Sequence, residues 1–331
     1  MKLVVQIPAL NEEATIADVI SRVPREMEGI TSTTILVIDD GSKDRTGELA
    51  RDAGATLIRH EQSRGVGAAF RTGVQKSTEL GADIIVTIDG DGQFNPEDMA
   101  TLIAPILDGK ADFATASRFA DKKLIPEMPW MKKWGNNFMA RLISTMVGKR
   151  FHDVSCGYRA YSRNAYLRLV LTGDFTYTHE VFLTLAYAGL AICEVPLKVR
   201  GVREHGSSRV APGVLRYGLR TSTIILRTYR DYKPLRFFSF ISIFLGVTAL
   251  CFAAFLMYIR ITTGAFTPHK WAGFVAATFG GASLIVFLAG IVAEMLDRAR
   301  ITQEESLYRV RKLENELREM KKDLSKSTTK P

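Results

Sequence analysis

The chain has 331 residues, 24% of them charged and 47% hydrophobic, so it can hold one large domain plus an appendage and is not composed like a disordered protein. Its net charge of +9 points to anionic partners such as nucleotide phosphates, lipid phosphates or an anionic membrane surface. Nucleic acid is disfavoured, because the basic residues collect beside apolar runs and inside candidate phosphate motifs. Cys156, Cys193 and Cys251 form neither a disulfide framework nor a CxxC zinc pattern, so a reducing compartment is expected. The N-terminus enters an apolar strand at Leu3 without a basic leader or cleavage site, and no signal peptide is expected.

The first half alternates short β-branched runs with amphipathic segments. Leu3–Pro8, Thr34–Asp39, Thr56–His60 and Ile84–Asp89 read as strands; Glu13–Val23, Arg45–Ala53 and Gly67–Leu80 read as helices. This order predicts an α/β fold with a mostly parallel, doubly wound sheet. Ligands of such sheets bind beyond the carboxyl ends of the strands. Pro8–Glu12, Asp39–Ser42 and Asp89–Gln93 therefore share one rim.

Phe237–Ile259 carries no charged side chain and is long enough for about 30 Å of hydrocarbon. Trp271–Leu296 is a second such run, charged only at Glu294. Arg227, Arg230, Lys233 and Arg236 precede the first run, and Arg298 and Arg300 follow the second. The loop between holds only Arg260 and Lys270. The positive-inside rule then puts the large domain and both termini in the cytoplasm of a two-span membrane protein. Val214–Tyr232 mixes Leu, Ile and Tyr with Arg, as a helix in the headgroup region or one packed on the domain would. Val310, Leu313, Leu317, Met320 and Leu324 suit either a short coiled-coil seam in a homo-oligomer or a solvated helical tail.

The chemistry begins at Asp89-Gly-Asp91-Gly-Gln93. Two carboxylates one residue apart at a strand end can meet one divalent ion, and hard oxygen ligands suit Mg²⁺ or Mn²⁺. Asp39-Asp40-Gly41-Ser42 repeats the device; Asp40 could accept from a base or ribose, or cap the helix that follows. Arg64-Gly65-x-Gly67 fails as a dinucleotide fingerprint, since Phe70 stands where the third glycine belongs. Ser117-Arg118, Arg159 and the array Arg203, Ser208, Arg209 supply guanidinium and hydroxyl groups suited to phosphate oxygens.

The segments IPALNEE (7–13), VIDDGSKDRT (37–46), RGVGAAFRTG (64–73), TIDGDGQFNPED (87–98), ASRF (116–119), DVSCGYRAYSR (153–163) and EVPLKVRGVREHGSSR (194–209) resemble glycosyltransferase family 2. Within it they are similar to the polyprenyl-phosphate sugar synthases of the dolichyl-phosphate mannose synthase and GtrB-like type. The resemblance runs in the family's order over roughly residues 7–209 and implies a GT-A catalytic domain over 1–210. An interfacial helix (211–235), a two-helix transmembrane domain (236–297) and a charged C-terminal helix (298–331) would follow. It implies inverting transfer from a nucleotide-sugar to a polyprenyl phosphate, the lipid bilayer being a further partner. Pro8, Asn11, Glu12, Asp39, Asp40 and Gly65 would line the donor pocket with Asp89. Asp89, Asp91 and Gln93 would hold Mg²⁺ or Mn²⁺, and Ser117, Arg118, Arg159, Arg203, Ser208 and Arg209 would receive the acceptor phosphate. Asp89, Asp91, Arg118 and Asp153 are the candidate catalytic residues, with Glu180 the alternative to Asp153 where a base is used. The chain departs from the family's usual acid motif at Gly90 and Gly92, which removes no ligand but adds backbone freedom. A processive polysaccharide synthase lacks support, since no QxxRW motif is present, and intact acids argue against a non-catalytic membrane scaffold.

Overall fold

The computed structural model describes residues 1–128, 130–170, 178–200, 223, 226–227 and 229–328, without the side chains of 131, 132, 319 and 322–328. Arg203, Ser208, Arg209 and most of 214–232 lie outside the described residues.

The expected alternation forms: β1 (Lys2–Ala9), α1 (Ile16–Ser21), β2 (Ser32–Asp39), α2 (Thr46–Asp52), β3 (Thr56–Arg59), α3 (Val66–Leu80) and β4 (Ile84–Thr87). Helix α1 starts later than its amphipathic pattern suggests, because residues 11–13 are engaged elsewhere: Asn11 and Glu12 donate backbone N–H groups to Ser42 and Thr46. The second half adds α4 (Met99–Leu107), β5 (Phe113–Ser117), α5 (Trp130–Val147), β6 (Arg159–Ser162), α6 (Arg163–Leu167), α7 (Thr178–Tyr187) and β7 (Ile192–Pro196).

The seven strands lie in the order β3-β2-β1-β4-β6-β5-β7. All pairs are parallel except those of β6, which runs antiparallel between β4 and β5. Both faces of the sheet are covered, so central strands are apolar on both sides. Ile35 and Val37 enter one core with Ile7, Ile16 and Val86, while Leu36 and Ile38 enter the other with Phe70, Ile85 and Tyr161. Each such side chain contributes roughly 1.5–3 kcal/mol on burial. The register pairs Ala9 with Asp39 and Gln6 with Thr87, so β1, β2 and β4 end on one rim.

The chain divides into two compact units, residues 1–218 with 306–331, and 219–305. The second contains α8 (Pro234–Thr263) and most of α9 (Lys270–Thr328). Both are long and apolar enough to cross a membrane, with mean hydropathy of 2.4 and 2.2, and their apolar stretches are 6% buried. Such outward-facing apolar side chains suit hydrocarbon surroundings. Ser242 and Ser283 join the helices by reciprocal hydroxyl-to-carbonyl bonds of 2.9 and 2.8 Å, the small-residue contact favoured in membranes.

The end of α9 belongs to the first unit. Tyr308 donates to Asn164 Oδ1 at 2.9 Å, and Arg311 caps the carbonyls of Leu167 and Leu169. Val310, Leu313, Leu317 and Met320, the candidate seam, remain exposed.

Candidate active site

The acid turn follows β4 directly. Ile88 N–H still bonds Gln6 O at 3.2 Å, so Asp89 emerges at the sheet edge. Gly90 is packed: a Cβ there would lie 3.3 Å from Ile16 Cδ1 and 3.5 Å from Ile7 Cγ2. Thr15 Oγ1 donates to Gly90 O at 2.7 Å, and Gln93 N–H donates to Asp91 Oδ1 at 3.0 Å. Gly92 has φ of +71°, a conformation that favours glycine. The paired glycines therefore lock the turn instead of loosening it. Asp91 is only 4% exposed and Asp89 half-buried.

The donor set fits a hard divalent ion. Among the described residues no group of three or more His, Cys, Asp or Glu converges. The turn thus offers two carboxylates, and a Mg²⁺- or Mn²⁺-sized ion would complete its shell with substrate oxygens and water. Gln93 is engaged with another segment, since its Nε2 donates to Arg200 O at 3.2 Å and its own carbonyl accepts from Arg200 N–H at 3.0 Å. This ladder ties the acid turn to Arg200, beyond the end of β7.

The neighbouring loops are clamped together. Asn11 holds φ of +49°, accepts from Lys43 N–H at 2.7 Å and donates its own N–H to Ser42 Oγ. Pro8 lies at the end of β1, opposite Ile38, and Glu12 is fastened to Thr46. Asp39 is wholly buried, accepts from Ser42 N–H at 2.8 Å and sits 3.4 Å from Arg59 Nε. Buried in this way, Asp39 fixes the turn through Ser42 N–H.

Asp40 collects four donors, from His60 Nδ1 (2.7 Å), Ser63 Oγ (2.8 Å), Arg64 N–H (2.9 Å) and Gly65 N–H (2.9 Å). Burial raises its pKa, but these donors, led by Arg64 N–H, outweigh it and hold the carboxyl below its ordinary 3.8. Asp40 thereby pins residues 60–65, including Gly65 at the start of α3, against the rim. His60 and Ser63, which carry this arrangement, belong to no motif.

The basic residues separate sharply. Arg118 is gripped by Asp153, with Nε to Oδ2 at 2.6 Å and Nη2 to Oδ1 at 2.9 Å, and its Nη2 also reaches Ser155 Oγ at 2.8 Å. Its side chain is 20% exposed, whereas Asp153 is wholly buried. Asp153 thus holds Arg118 in place by accepting from its backbone N–H, Nε and Nη2. Ser117 is also buried, and its hydroxyl donates to Glu194 Oε1 at 3.0 Å. Glu194 further accepts from His152 and from the backbone N–H of Asp153, so it supports the whole cluster. Glu194 opens the segment 194–209 that carries part of the family resemblance, but its supporting role was not legible from that motif.

Arg159 departs most from expectation. It is fully buried, bonds the carbonyls of Cys156, Thr178 and Val154, and lies over the Phe182 ring. It fastens internal backbone and does not reach a phosphate at the surface. Beside it, burial and then the Arg159 charge push His179 down to about 4, leaving that imidazole neutral at pH 7. Glu180, the alternative base, is half-buried.

Gly157 joins the two halves of the site. A Cβ on it would stand 2.7 Å from Asp89 Oδ2, so the backbone passes directly against that carboxylate. The same segment carries Asp153 and Ser155 to Arg118. The acid turn and the partly exposed guanidinium of Arg118 are thus both tied to residues 153–157.

The model of glycosyl transferase family 2 matches residues 4–169. The chain belongs to that family. The transferase is 32% identical over 212 residues to a UDP-N-acetylglucosamine–dolichyl-phosphate N-acetylglucosaminyltransferase of Methanococcus voltae, covering 58% of this chain and 83% of the relative. Glycosyltransferase AglJ of Haloferax volcanii is 30% identical over 313 residues, 93% of this chain and 96% of its own. A polyprenol monophosphomannose synthase of Mycolicibacterium smegmatis is 30% identical over 229 residues, 65% of this chain and 83% of its own. The fold is GT-A. Glucosyl-3-phosphoglycerate synthase from Mycobacterium tuberculosis, solved with Mn²⁺ and UDP-glucose, superposes with a TM-score of 0.54 at 23% identity, covering 69% of this chain and 79% of that one. With two apolar helices besides, the transferase is a membrane-associated glycosyltransferase.

Proposed function

We propose that the enzyme transfers a sugar, with inversion, from a nucleotide-sugar to a polyprenyl phosphate at the cytoplasmic face of the membrane. The observation that supports this reading is that one segment, 153–157, both passes against Asp89 at Gly157 and holds Arg118 through Asp153. A diphosphate held at the turn and a phosphate held at the guanidinium would then face each other. The lipid acceptor is supported by the apolar helices and by the dolichyl-phosphate and polyprenol relatives.

Asp89 and Asp91 would hold Mg²⁺ or Mn²⁺ on the donor diphosphate, and the ion would act there as a Lewis acid for the leaving nucleotide. The rim built by Pro8, Asn11, Glu12 and the Asp40-pinned loop would receive base and ribose. Arg118 would orient the acceptor, with Arg203, Ser208 and Arg209 as further candidates. A phosphate monoester has a second pKa of about 6, so the nucleophile is already an anion at pH 7 and needs orientation more than a base.

The test is release of nucleoside diphosphate by the full chain in vesicles, with a panel of GDP- and UDP-sugars and with dolichyl or undecaprenyl phosphate. Release that needs both the lipid phosphate and a divalent ion is expected. Release indifferent to the lipid would overturn the acceptor assignment.

A further inference from the structure

Helix α5 carries an aromatic face that the chemistry above does not use. Trp130 is 74% exposed, Trp134 65% and Phe138 48%, recurring every fourth residue, and the last two rings stack at 5.7 Å. The opposite face is anchored: Ala140 and Ile143 are buried, and Asn136 Nδ2 donates to His152 O at 3.1 Å. Lys133 and Arg141 stand exposed on the same helix, Lys122 and Lys123 just before it, and residues 130–150 contain no Asp or Glu. Exposed rings of this size on a folded domain mark a binding surface.

We infer that this face of α5 docks on the anionic bilayer surface and holds Arg118 at headgroup depth. Tryptophan is favoured at the membrane interface, where its ring is apolar and its N–H stays wet, and flanking Lys and Arg meet anionic headgroups. A second copy of the chain meeting this patch isologously would oppose cation to cation, which argues for lipid as the occupant. Asn136 lies between Trp134 and Phe138 in sequence and accepts from Ser155 Oγ at 2.7 Å, which in turn accepts from Arg118 Nη2 at 2.8 Å. The helix that meets the lipid is thus two hydrogen bonds from the guanidinium assigned to the acceptor. This consequence for catalysis rests on the lipid-phosphate reading; the docking itself does not.

The test uses the full chain carrying Trp271→Phe, which leaves Trp130 and Trp134 as the sole indole reporters. It is reconstituted in phosphatidylglycerol-containing vesicles with lipids brominated either near the headgroup or near the chain terminus. Strong quenching by the shallow label and weak quenching by the deep one is expected. Quenching by neither, or emission that tracks cross-linking to a second copy, would overturn the proposal. In parallel, a Trp134→Ser/Phe138→Ser variant should raise KM for a long-chain acceptor in vesicles about tenfold, with little change for a short, water-soluble prenyl phosphate. Equal loss on both acceptors would show a merely structural face and refute the inference. If the parent transfers to neither lipid, the acceptor reading fails while quenching still decides docking.

Discussion

Replacing Asp153 by Asn separates orientation from proton abstraction. The carboxylate is wholly buried and meets Arg118 through Nε at 2.6 Å, Nη2 at 2.9 Å and the backbone N–H at 3.1 Å. Asparagine keeps the shape but loses the charge, and its NH₂ must face one set of donors. Breaking a buried pair in this way costs about 3 kcal/mol, equivalent to a fall of roughly 6–12 °C in apparent Tm for a unit of this size. If Asp153 positions Arg118, acceptor KM rises and kcat falls by roughly tenfold, about 1.4 kcal/mol of lost orientation. The acid limb of the pH profile should persist near pH 6, set by the acceptor's own ionisation. Thermal unfolding and initial rates from pH 5 to 9, at varied lipid phosphate, measure all of this. A base would behave otherwise. A kcat loss of roughly 10²–10⁴ with acceptor KM and Tm unchanged, and with the acid limb abolished, would refute the positioning role.

Gly157→Ala should displace Asp89 and weaken divalent-ion binding, measured as a raised Mn²⁺ concentration for half-maximal transfer, while unfolding changes little. EDTA should abolish transfer and Mn²⁺ or Mg²⁺ restore it; Asp91→Asn should lower kcat by about a hundredfold without rescue by moderate metal excess. Because the folded pKa of Asp40 is depressed, its stabilising effect is present above about pH 4 and lost as pH falls through the depressed value. Asp40→Asn should therefore flatten the acid arm of the stability profile, followed by thermal unfolding from pH 2 to 7. Burial raises the Cys156 thiol to about 12, so alkylation at pH 8 should modify it only after denaturation, as peptide mapping would show.

Local chemistry was enough for β1, β2 and β4, which are apolar runs followed closely by acids, and for the two apolar helical stretches, whose length and hydropathy need no partner; that the second continues unbroken to Thr328 was not legible. The acid turn was legible for the same reason: a strand, two carboxylates and a flexible backbone are contiguous. Tertiary structure alone decided how the arginines divide. Arg118 and Arg159 look equivalent in a string, yet one is partly exposed on a buried Asp153 and the other is sealed among backbone carbonyls. Burial depends on what the distant chain brings, and no spacing rule encodes it. The closeness of Gly157 to Asp89, the antiparallel placement of β6 between β4 and β5, and the support of Asp153 by Glu194 are likewise contacts between residues far apart in sequence. The sequence by itself thus offered the candidate reagents of this transferase, and the fold decided which of them are sealed in the interior and which stay partly exposed, because burial is set by contacts between distant segments.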